Sequence, residues 1–238
     1  MTGLEQYCLE AKKYGRADLD VGSFATHAVW DADMLFSIPD GLELKDAAPL
    51  MCAGATVWTA LTTYGLKPGD RVGIQGIGGL GHLAIQFAAK LGCEVVVLSS
   101  SESKREEAKK LGATQFFVSK GNFDYPQDKL LNHLLICGSA NPDYSKLIPL
   151  MAVNGTIYPL TVSTAPTPFV FYSLVSKGIR IQGSSVADRT SMRRMIDFAT
   201  LHQIKPVLME WKMDEAGIEA AMEKLRTGGI RYRAVLNA

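Results

Sequence analysis

The stretch "GIGGLG" places Gly76, Gly78 and Gly81 in G-x-G-x-x-G spacing. In such a motif the first glycine permits a tight turn and the second lets a pyrophosphate approach the backbone. The third lets a helix and a strand pack closely, and the helix N-terminus offers N–H groups and a partial positive charge to phosphates. The motif predicts a dinucleotide site, and the alternative is a plain strand–helix turn with structural glycines.

The apolar run after this motif ends in "VVVLSSS", and its end indicates which dinucleotide would bind. An NAD site usually carries an acidic residue there for the ribose 2′-hydroxyl, but Ser99 occupies the place and no Asp or Glu precedes Glu102. Hydroxyl and cationic groups can hold a 2′-phosphate, which a carboxylate would repel. The residues that predict NADP(H) are Ser99, Ser100, Ser101, Lys104 and Arg105. The alternative is a serine-rich loop in which Ser103 only caps the next helix.

The surrounding elements must place the turn and the serines at one edge of a sheet. From about residue 70, β-rich runs alternate with helical patterns, which predicts a parallel sheet with crossover helices. "DRVGIQGI" and "CEVVVLS" are predicted strands around the helix "GLGHLAIQFAAKLG". In the next helix, "SKREEAKKLG", Ser103 and Glu106 are expected to form a capping box and Gly112 to end it. The predicted fold is an α/β Rossmann domain with a doubly wound parallel sheet.

The two chain ends have a different pattern from the centre. Residues 1–47 contain strand-like pieces, "SFATHAVW" and "MLFSIP", and residues 205–238 contain "PVLMEWKM", a helix and "YRAVLN". We therefore expect residues 48–204 to form the dinucleotide-binding domain, and 1–47 and 205–238 to form a truncated, mostly β partner domain. The apolar Phe24, Trp30 and Leu35 would be exposed unless residues 205–238 or another subunit covers them.

Composition narrows the class of protein. The 238 residues are 47% hydrophobic and carry a formal net charge of +1, so nothing points to nucleic acid or an anionic membrane as a partner. The start lacks a secretory signal pattern, and no apolar run approaches the ~18–20 residues of a membrane span. Four distant cysteines without C-x-x-C fit a reduced, cytoplasmic protein.

Several segments together resemble the medium-chain, zinc-type alcohol dehydrogenases, most closely the cinnamyl-alcohol-dehydrogenase-like branch. The resemblance rests on "IPDGLELKDAAPLMCAGATVWTALTTYGLKPGDRVGIQGIGGLGHLAIQFAAKLG", on "KREEAKKLGA", on Gly183–Ser184 and on "GGIRYRAVL". It extends over essentially all 238 residues. The resemblance implies an oxidoreductase that acts on a small-molecule alcohol, aldehyde or activated alkene.

The resemblance also implies roles for individual residues. Cys52 matches the last catalytic zinc ligand of the family and Thr56 matches a nicotinamide contact. The implied pyrophosphate loop consists of Gly76, Gly78, Gly79, Leu80 and Gly81. The implied nicotinamide lining consists of Cys137, Gly138, Ser139, Pro159, Leu160, Ser184 and Val186. Arg233 matches an arginine that reaches the cofactor phosphates. Residues around Ile179–Gln182 match the edge strand through which family dimers pair, which implies a homodimer, the alternative being a capped edge.

The sequence also departs from the family. The family's N-terminal segment, with the first catalytic cysteine, a Gly-His-Glu segment and most structural-zinc cysteines, has no counterpart here, and Cys8 resembles the last structural cysteine. A single thiolate does not make a tetrahedral zinc site. We therefore expect no zinc and interpret Cys8 and Cys52 as free, buried cysteines. A smaller departure is Ala187, where the family usually has glycine.

Three functional hypotheses follow. The preferred one is an NADP(H)-dependent oxidoreductase that works without catalytic zinc. The others are a non-redox reaction in the same cleft and a non-catalytic nucleotide-binding module or fragment. The sequence singles out no proton donor: Tyr158 and Tyr172 lie near predicted strand ends, but a buried tyrosine is commoner in cores than in catalysis.

Overall fold

The computed structural model describes residues 3–12, 15, 17, 19–119, 125–139 and 141–238. The chain divides into two compact units. One is formed by Cys52–Val186, and the other by Met1–Met51 together with Ala187–Ala238.

The unit Cys52–Val186 is built on a sheet of six parallel strands in the order β3-β2-β1-β4-β5-β6. The strands are β1 (Arg71–Gln75), β2 (Glu94–Ser99), β3 (Gln115–Val118), β4 (Leu131–Ile136), β5 (Met151–Pro159) and β6 (Arg180–Ile181). This order is that of a Rossmann fold, so the predicted fold class is confirmed. The order reverses between β1 and β4, and in such sheets ligands bind beyond the carboxyl ends of the strands at that point.

One helix, α2 (Ala55–Thr62), precedes the first strand of this sheet, and four further helices follow strands β1, β2, β4 and β5. The four are α3 (Gly81–Lys90), α4 (Arg105–Leu111), α5 (Tyr144–Leu147) and α6 (Phe171–Val175). The central strands are almost entirely apolar because both faces of the sheet are covered: Val95–Leu98 is fully buried. On one face the core includes Leu134, Tyr144 and Leu147. Elsewhere in the unit Trp58 packs edge-on against Phe87, with ring centroids 5.6 Å apart.

The start of α4 differs from the sequence prediction. The expected capping box of Ser103 and Glu106 is wrong, because a 3-10 turn, Glu102–Lys104, precedes the helix and places Ser103 inside it. Lys104 is the N-cap residue of α4 and makes no side-chain capping bond. Gly112 ends the helix in the left-handed conformation, as predicted, with a φ of 114°.

The second unit contains a small sheet in which β7 (Leu208–Lys212) and β8 (Arg233–Asn237) pair in parallel. The helix α8 (Glu215–Arg226) connects them as a crossover. Helices α1 (Leu44–Pro49) and α7 (Arg189–Leu201) also belong to this unit. None of the helices in the described ranges is both long and apolar enough to cross a membrane.

The strands expected at "SFATHAVW" and "MLFSIP" are wrong. The described residues there form bends and one 3-10 turn, Ala32–Met34, because no strand within the described parts of the chain lies alongside to take up their backbone hydrogen bonds. Phe24, Trp30 and Leu35 remain 44–60% exposed. Residues 205–238 therefore do not cover these side chains.

The unit Cys52–Val186 ends earlier in the chain than the boundary expected after residue 204. Helix α7 joins the unit of the chain ends because it packs against the segment before α1. Leu35, Phe36 and Pro39 line a cavity of about 320 Å³ together with Arg193 and Ile196 of α7.

Candidate dinucleotide site

The turn after β1 lies directly against the turn after β4. Gly76 has a φ of 91°, and a Cβ there would lie 2.7 Å from the Cα of Gly138. The N–H of Cys137 donates to the carbonyl of Gln75 over 2.8 Å, which joins the same two strand ends. The glycine motif therefore lies where the strand order reverses.

The three motif glycines have different surroundings. A Cβ at Gly81 would lie 1.9 Å from the carbonyl oxygen of Gly76, so the turn and the start of α3 leave no room for a side chain. A Cβ at Gly78 would meet no atom within 4 Å. The first and third glycines are thus required by packing, while the second opens onto free space. This arrangement fits a cradle for a phosphate group.

The N-terminus of α3 completes this cradle. Its N-cap residue is Leu80, and no side chain caps the helix there. The Nδ1 atom of His82 lies 2.9 Å from the carbonyl oxygen of Gly78 and holds the turn from the helix side. A helix N-terminus without a side-chain cap retains its attraction for an anion. Gly79 completes the predicted pyrophosphate loop, and all five of its residues lie in this turn.

Ser99 is the last residue of β2, and Ser100 and Ser101 follow it in the loop, as predicted. Ser99 is buried, and its Oγ accepts the N–H of Ser101 over 3.4 Å. The hydroxyls of Ser101 and Ser103 are 2.9 Å apart. Ser100 and Ser101 are exposed. The alternative in which Ser103 caps the next helix is wrong, because no side-chain capping bond forms at the start of α4.

The two cations of this loop point to different neighbours. The Lys104 ammonium donates to the carbonyl of Ile77, inside the glycine turn, over 2.7 Å. Arg105 pairs with Glu102, donates to the carbonyl of Phe116 and lies 4.7 Å from the centre of the Phe116 ring. The contact between Lys104 and Ile77 has no signal in the sequence, since 27 residues separate the two.

The predicted nicotinamide-side residues follow β4, β5 and β6. Cys137–Gly138 and Pro159–Leu160 lie at or just after the carboxyl ends of β4 and β5, and the Leu160 N–H donates to Ile136 over 3.1 Å. Among the described residues of this unit, the buried polar atoms without a hydrogen-bond partner include the Ser184 Oγ and the Gln75 Oε1. Buried polar groups are normally paired, so these atoms fit a site that a polar ligand completes.

Gln75 is a residue that sequence reasoning missed. It ends β1, packs near Gly138 and is a polar residue directly after Val72, Gly73 and Ile74. The signal for it was present in the sequence, as an amide side chain directly before the first glycine of the motif.

Thr56 and Cys52 lie one turn apart, and the Thr56 hydroxyl donates to the Cys52 carbonyl over 2.8 Å. The expectation that Cys8 and Cys52 are buried is wrong, since both are free and exposed. The π-helical turn Leu50–Gly54 places Cys52 at the surface between the buried Leu50 and Ala53. Cys8 follows a 3-10 turn, Glu5–Tyr7, that contains no buried residue.

The side chains around Cys52 do not meet the needs of a zinc ion. Across the described residues, no group of three or more His, Cys, Asp or Glu side chains is placed to hold a metal ion. Zinc in proteins is held by at least three protein ligands in tetrahedral geometry. Cys52 has no such set of co-ligands among the described residues, so these residues do not fit the zinc of the family.

Of the predicted site residues, Val186 is the last residue of the unit Cys52–Val186, and Arg233 belongs to the other unit. Val186 has a φ of 31°, a left-handed conformation that β-branched residues rarely adopt. Arg233 begins β8 of the other unit, and its phosphate contact stays a prediction.

Tyr158 is fully buried and belongs to a polar chain within the core. Its hydroxyl lies 3.0 Å from Nδ1 of His133, and Nε2 of His133 lies 3.2 Å from the Asp70 carboxylate. Burial raises the pKa of Tyr158 to about 12 and lowers the pKa of His133. Tyr172, in contrast, is exposed on α6.

Comparison with known proteins agrees with this geometry. Residues 79–200 match the family model described as zinc-binding dehydrogenase. The NADP-dependent alcohol dehydrogenase C 1 of Mycolicibacterium smegmatis is 31% identical, over 99% of this chain and 69% of that protein.

Two solved structures are similar as well. A cinnamyl alcohol dehydrogenase from Sorghum bicolor has a TM-score of 0.75 at 32% identity, covering 84% of this chain and 57% of that one. An acetophenone reductase from Geotrichum candidum, solved in complex with NAD, has a TM-score of 0.75 at 26% identity, covering 85% and 58%.

The chain spans about two thirds of the length of several curated relatives that it matches, and less than two thirds of the two solved chains. Within that span the match to the family model takes in α3, β2, β4, β5 and the glycine turn from Gly79 onward. The chain belongs to the zinc-binding dehydrogenase family, the medium-chain alcohol dehydrogenases that include the cinnamyl alcohol dehydrogenases.

Proposed function

We propose that this protein is an NADP(H)-dependent oxidoreductase that acts on an alcohol, an aldehyde or an activated alkene without zinc held by this chain. The observation that carries the proposal is the open face at Gly78, in a turn whose other two motif glycines are closed by packing. That turn lies beside a loop of serines and a lysine. Together they offer separate places for a pyrophosphate and for a third phosphate.

The preference for NADP(H) over NAD(H) is argued from the end of β2. Ser99 occupies the position of the acid that would receive the ribose 2′-hydroxyl. The nearest carboxylate along the loop, Glu102, is paired with Arg105, which also holds the pKa of that carboxyl below its usual range. The relatives include proteins named as NADP-dependent, and one similar structure was solved in complex with NAD, so relatives alone do not decide the cofactor.

NADPH, when bound, would supply a hydride to the substrate. The chain's own contribution is to bind and orient. Thr56 and Ser184 would line the nicotinamide side, where the unpartnered Ser184 hydroxyl can hydrogen-bond to a ligand. Burial raises the pKa of the Cys137 thiol to about 12, so this side chain acts as neutral lining. Tyr158 is not proposed as a proton donor, because its hydroxyl is buried against His133.

The substrate class follows the names of the similar proteins, which include alcohol dehydrogenases and a ketone reductase. We propose a small carbonyl compound or alcohol for this chain as well.

We further propose that the chain forms a homodimer through the free edge of β6, near Ile179–Gln182. The strand is last in the sheet order, and its one partner among the described strands is β5. Phe171, Tyr172 and Val175 are strongly exposed on α6, just before that edge. An exposed apolar patch next to an open edge strand fits contact with a second copy.

Turnover with NADPH deuterated at C4 of the nicotinamide tests the proposed reaction. With cinnamaldehyde or acetophenone as substrate, we expect deuterium on the carbon of the new alcohol. Conversion of a substrate without deuterium transfer would indicate the non-redox alternative. Tight NADPH binding without any conversion would indicate a binding module.

A further inference from the structure

We infer that Lys104 is a positioning residue for the glycine turn, and that it therefore strengthens the binding of NADH as well as that of NADPH. The inference rests on the proposed function and deepens it. If Lys104 served the 2′-phosphate alone, its loss would leave binding of NADH, which lacks that phosphate, unchanged.

The geometry gives Lys104 a contact inside the turn itself. Its Nζ lies 2.7 Å from the carbonyl oxygen of Ile77, the residue between the first two motif glycines. A hydrogen bond from an ammonium is short and about twice as strong as a neutral one. Ile77 is buried, so the lysine holds a well-packed part of the turn. This bond fixes the peptide that leads into Gly78, where the open face lies.

The same bond brings a positive charge close to the backbone that would receive the pyrophosphate. Lys104 belongs to the 3-10 turn that follows the serine loop, so it links that loop to the glycine turn. The ammonium group of Lys104 would therefore attract both the third phosphate and the pyrophosphate.

In contrast to Lys104, the neighbouring side chains Ser101 and Arg105 bond with groups outside the glycine turn. Ser101 bonds with Ser103, and Arg105 bonds with Glu102 and with the backbone of β3. Ser101 is exposed, and its hydroxyl bonds within its own loop. Replacing Ser101 should thus affect the 2′-phosphate and spare NADH, which makes Ser101→Ala the matched control.

Fluorescence titration of the wild type, Lys104→Met, Lys104→Arg and Ser101→Ala with NADPH and NADH tests the inference. We expect Lys104→Met to weaken NADH binding by about five- to tenfold, and NADPH binding by more. Lys104→Arg should restore much of the NADH affinity. Ser101→Ala should weaken NADPH binding only. Hydrogen exchange of the ligand-free protein should show faster exchange at the amides of residues 77–81 in Lys104→Met.

Unchanged NADH affinity in Lys104→Met, with the wild type binding NADPH, would overturn the inference and leave the proposed function standing. A wild type that binds neither nucleotide would overturn both. If Lys104→Met does not fold, the Lys104→Ala variant, which removes both the donor and the charge, replaces it. A loss of NADH affinity in that variant supports the inference, and an unchanged affinity overturns it.

Discussion

Gly76 and Gly138 approach so closely that a Cβ on Gly76 would lie 2.7 Å from the Cα of Gly138. The contact joins the turns after β1 and β4, the two strands between which the order of the sheet reverses. Backbone atoms therefore form the wall of the predicted crevice on this side. A site of this kind is sensitive to added side-chain volume more than to lost polar groups.

Two of the three motif glycines, Gly78 and Gly81, should respond differently to alanine. Gly81→Ala would place its Cβ 1.9 Å from the Gly76 carbonyl, and we expect it to lower the free energy of unfolding by about 1–3 kcal/mol. Gly78→Ala meets no atom within 4 Å and should change stability by less than about 0.5 kcal/mol. Its methyl group would occupy the phosphate cradle, so NADPH affinity should fall about tenfold or more.

Urea unfolding and NADPH titration of the two variants check this prediction. The Gly78→Ala variant is the control for the loss of stability in Gly81→Ala, and Gly81→Ala is the control for the loss of NADPH affinity in Gly78→Ala. A Gly78→Ala variant that keeps full NADPH affinity would show that the open face is not the phosphate site.

Stability should depend on pH through His133. Burial lowers the pKa of His133 in the folded protein below the usual value of about 6.5, although the Asp70 carboxylate acts in the opposite direction. Below about pH 6.5, His133 is therefore protonated more readily in the unfolded chain than in the folded protein. The free energy of unfolding rises with pH through this window and levels off above it. Thermal melts between about pH 5 and pH 8 measure the slope.

The His133→Gln variant should show a smaller rise in melting temperature across that range. His27→Gln, at an exposed position, is the control and should retain the wild-type slope. An unchanged slope in His133→Gln would contradict the assignment, whatever the absolute stability of that variant.

The four cysteines should fall into two classes of reactivity. Cys8 and Cys52 are exposed, while burial raises the pKa of Cys93 to about 11 and that of Cys137 to about 12. Because the thiolate is the reactive form, iodoacetamide should label the first two in the native protein and the last two only after unfolding. Peptide mass spectrometry distinguishes the sites, and rapid native labelling of Cys137 would contradict the structure.

If the proposed dimer forms, a charged substitution on α6 should dissociate it. Val175→Glu places a charge on an exposed apolar residue near the edge of β6, and it should shift the protein to a monomer in sedimentation velocity. Leu201→Glu changes an equally exposed residue of the other unit and should leave the dimer intact. A wild type that sediments as a monomer would refute the proposal.

Much of the central fold follows from local chemistry. The strands are long apolar runs and the turn carries its glycines in a recognisable spacing, so both can be predicted without a structure. The strand-like patterns of residues 1–47 were misleading because a strand needs a partner, and nothing in a single segment shows whether one is present. The contact of Lys104 with Ile77 and the exposure of Cys52 depend on tertiary packing and on a π-helical turn, which periodicity does not reveal.

The central claim is that the glycine turn and the serine loop together bind a dinucleotide with a third phosphate. Titration of the wild-type protein with NADPH and NADH, followed by nicotinamide fluorescence, tests it most directly. We predict saturable binding of both, with NADPH bound at least about tenfold more tightly. Equal affinity for the two nucleotides, or no binding of either, would contradict it.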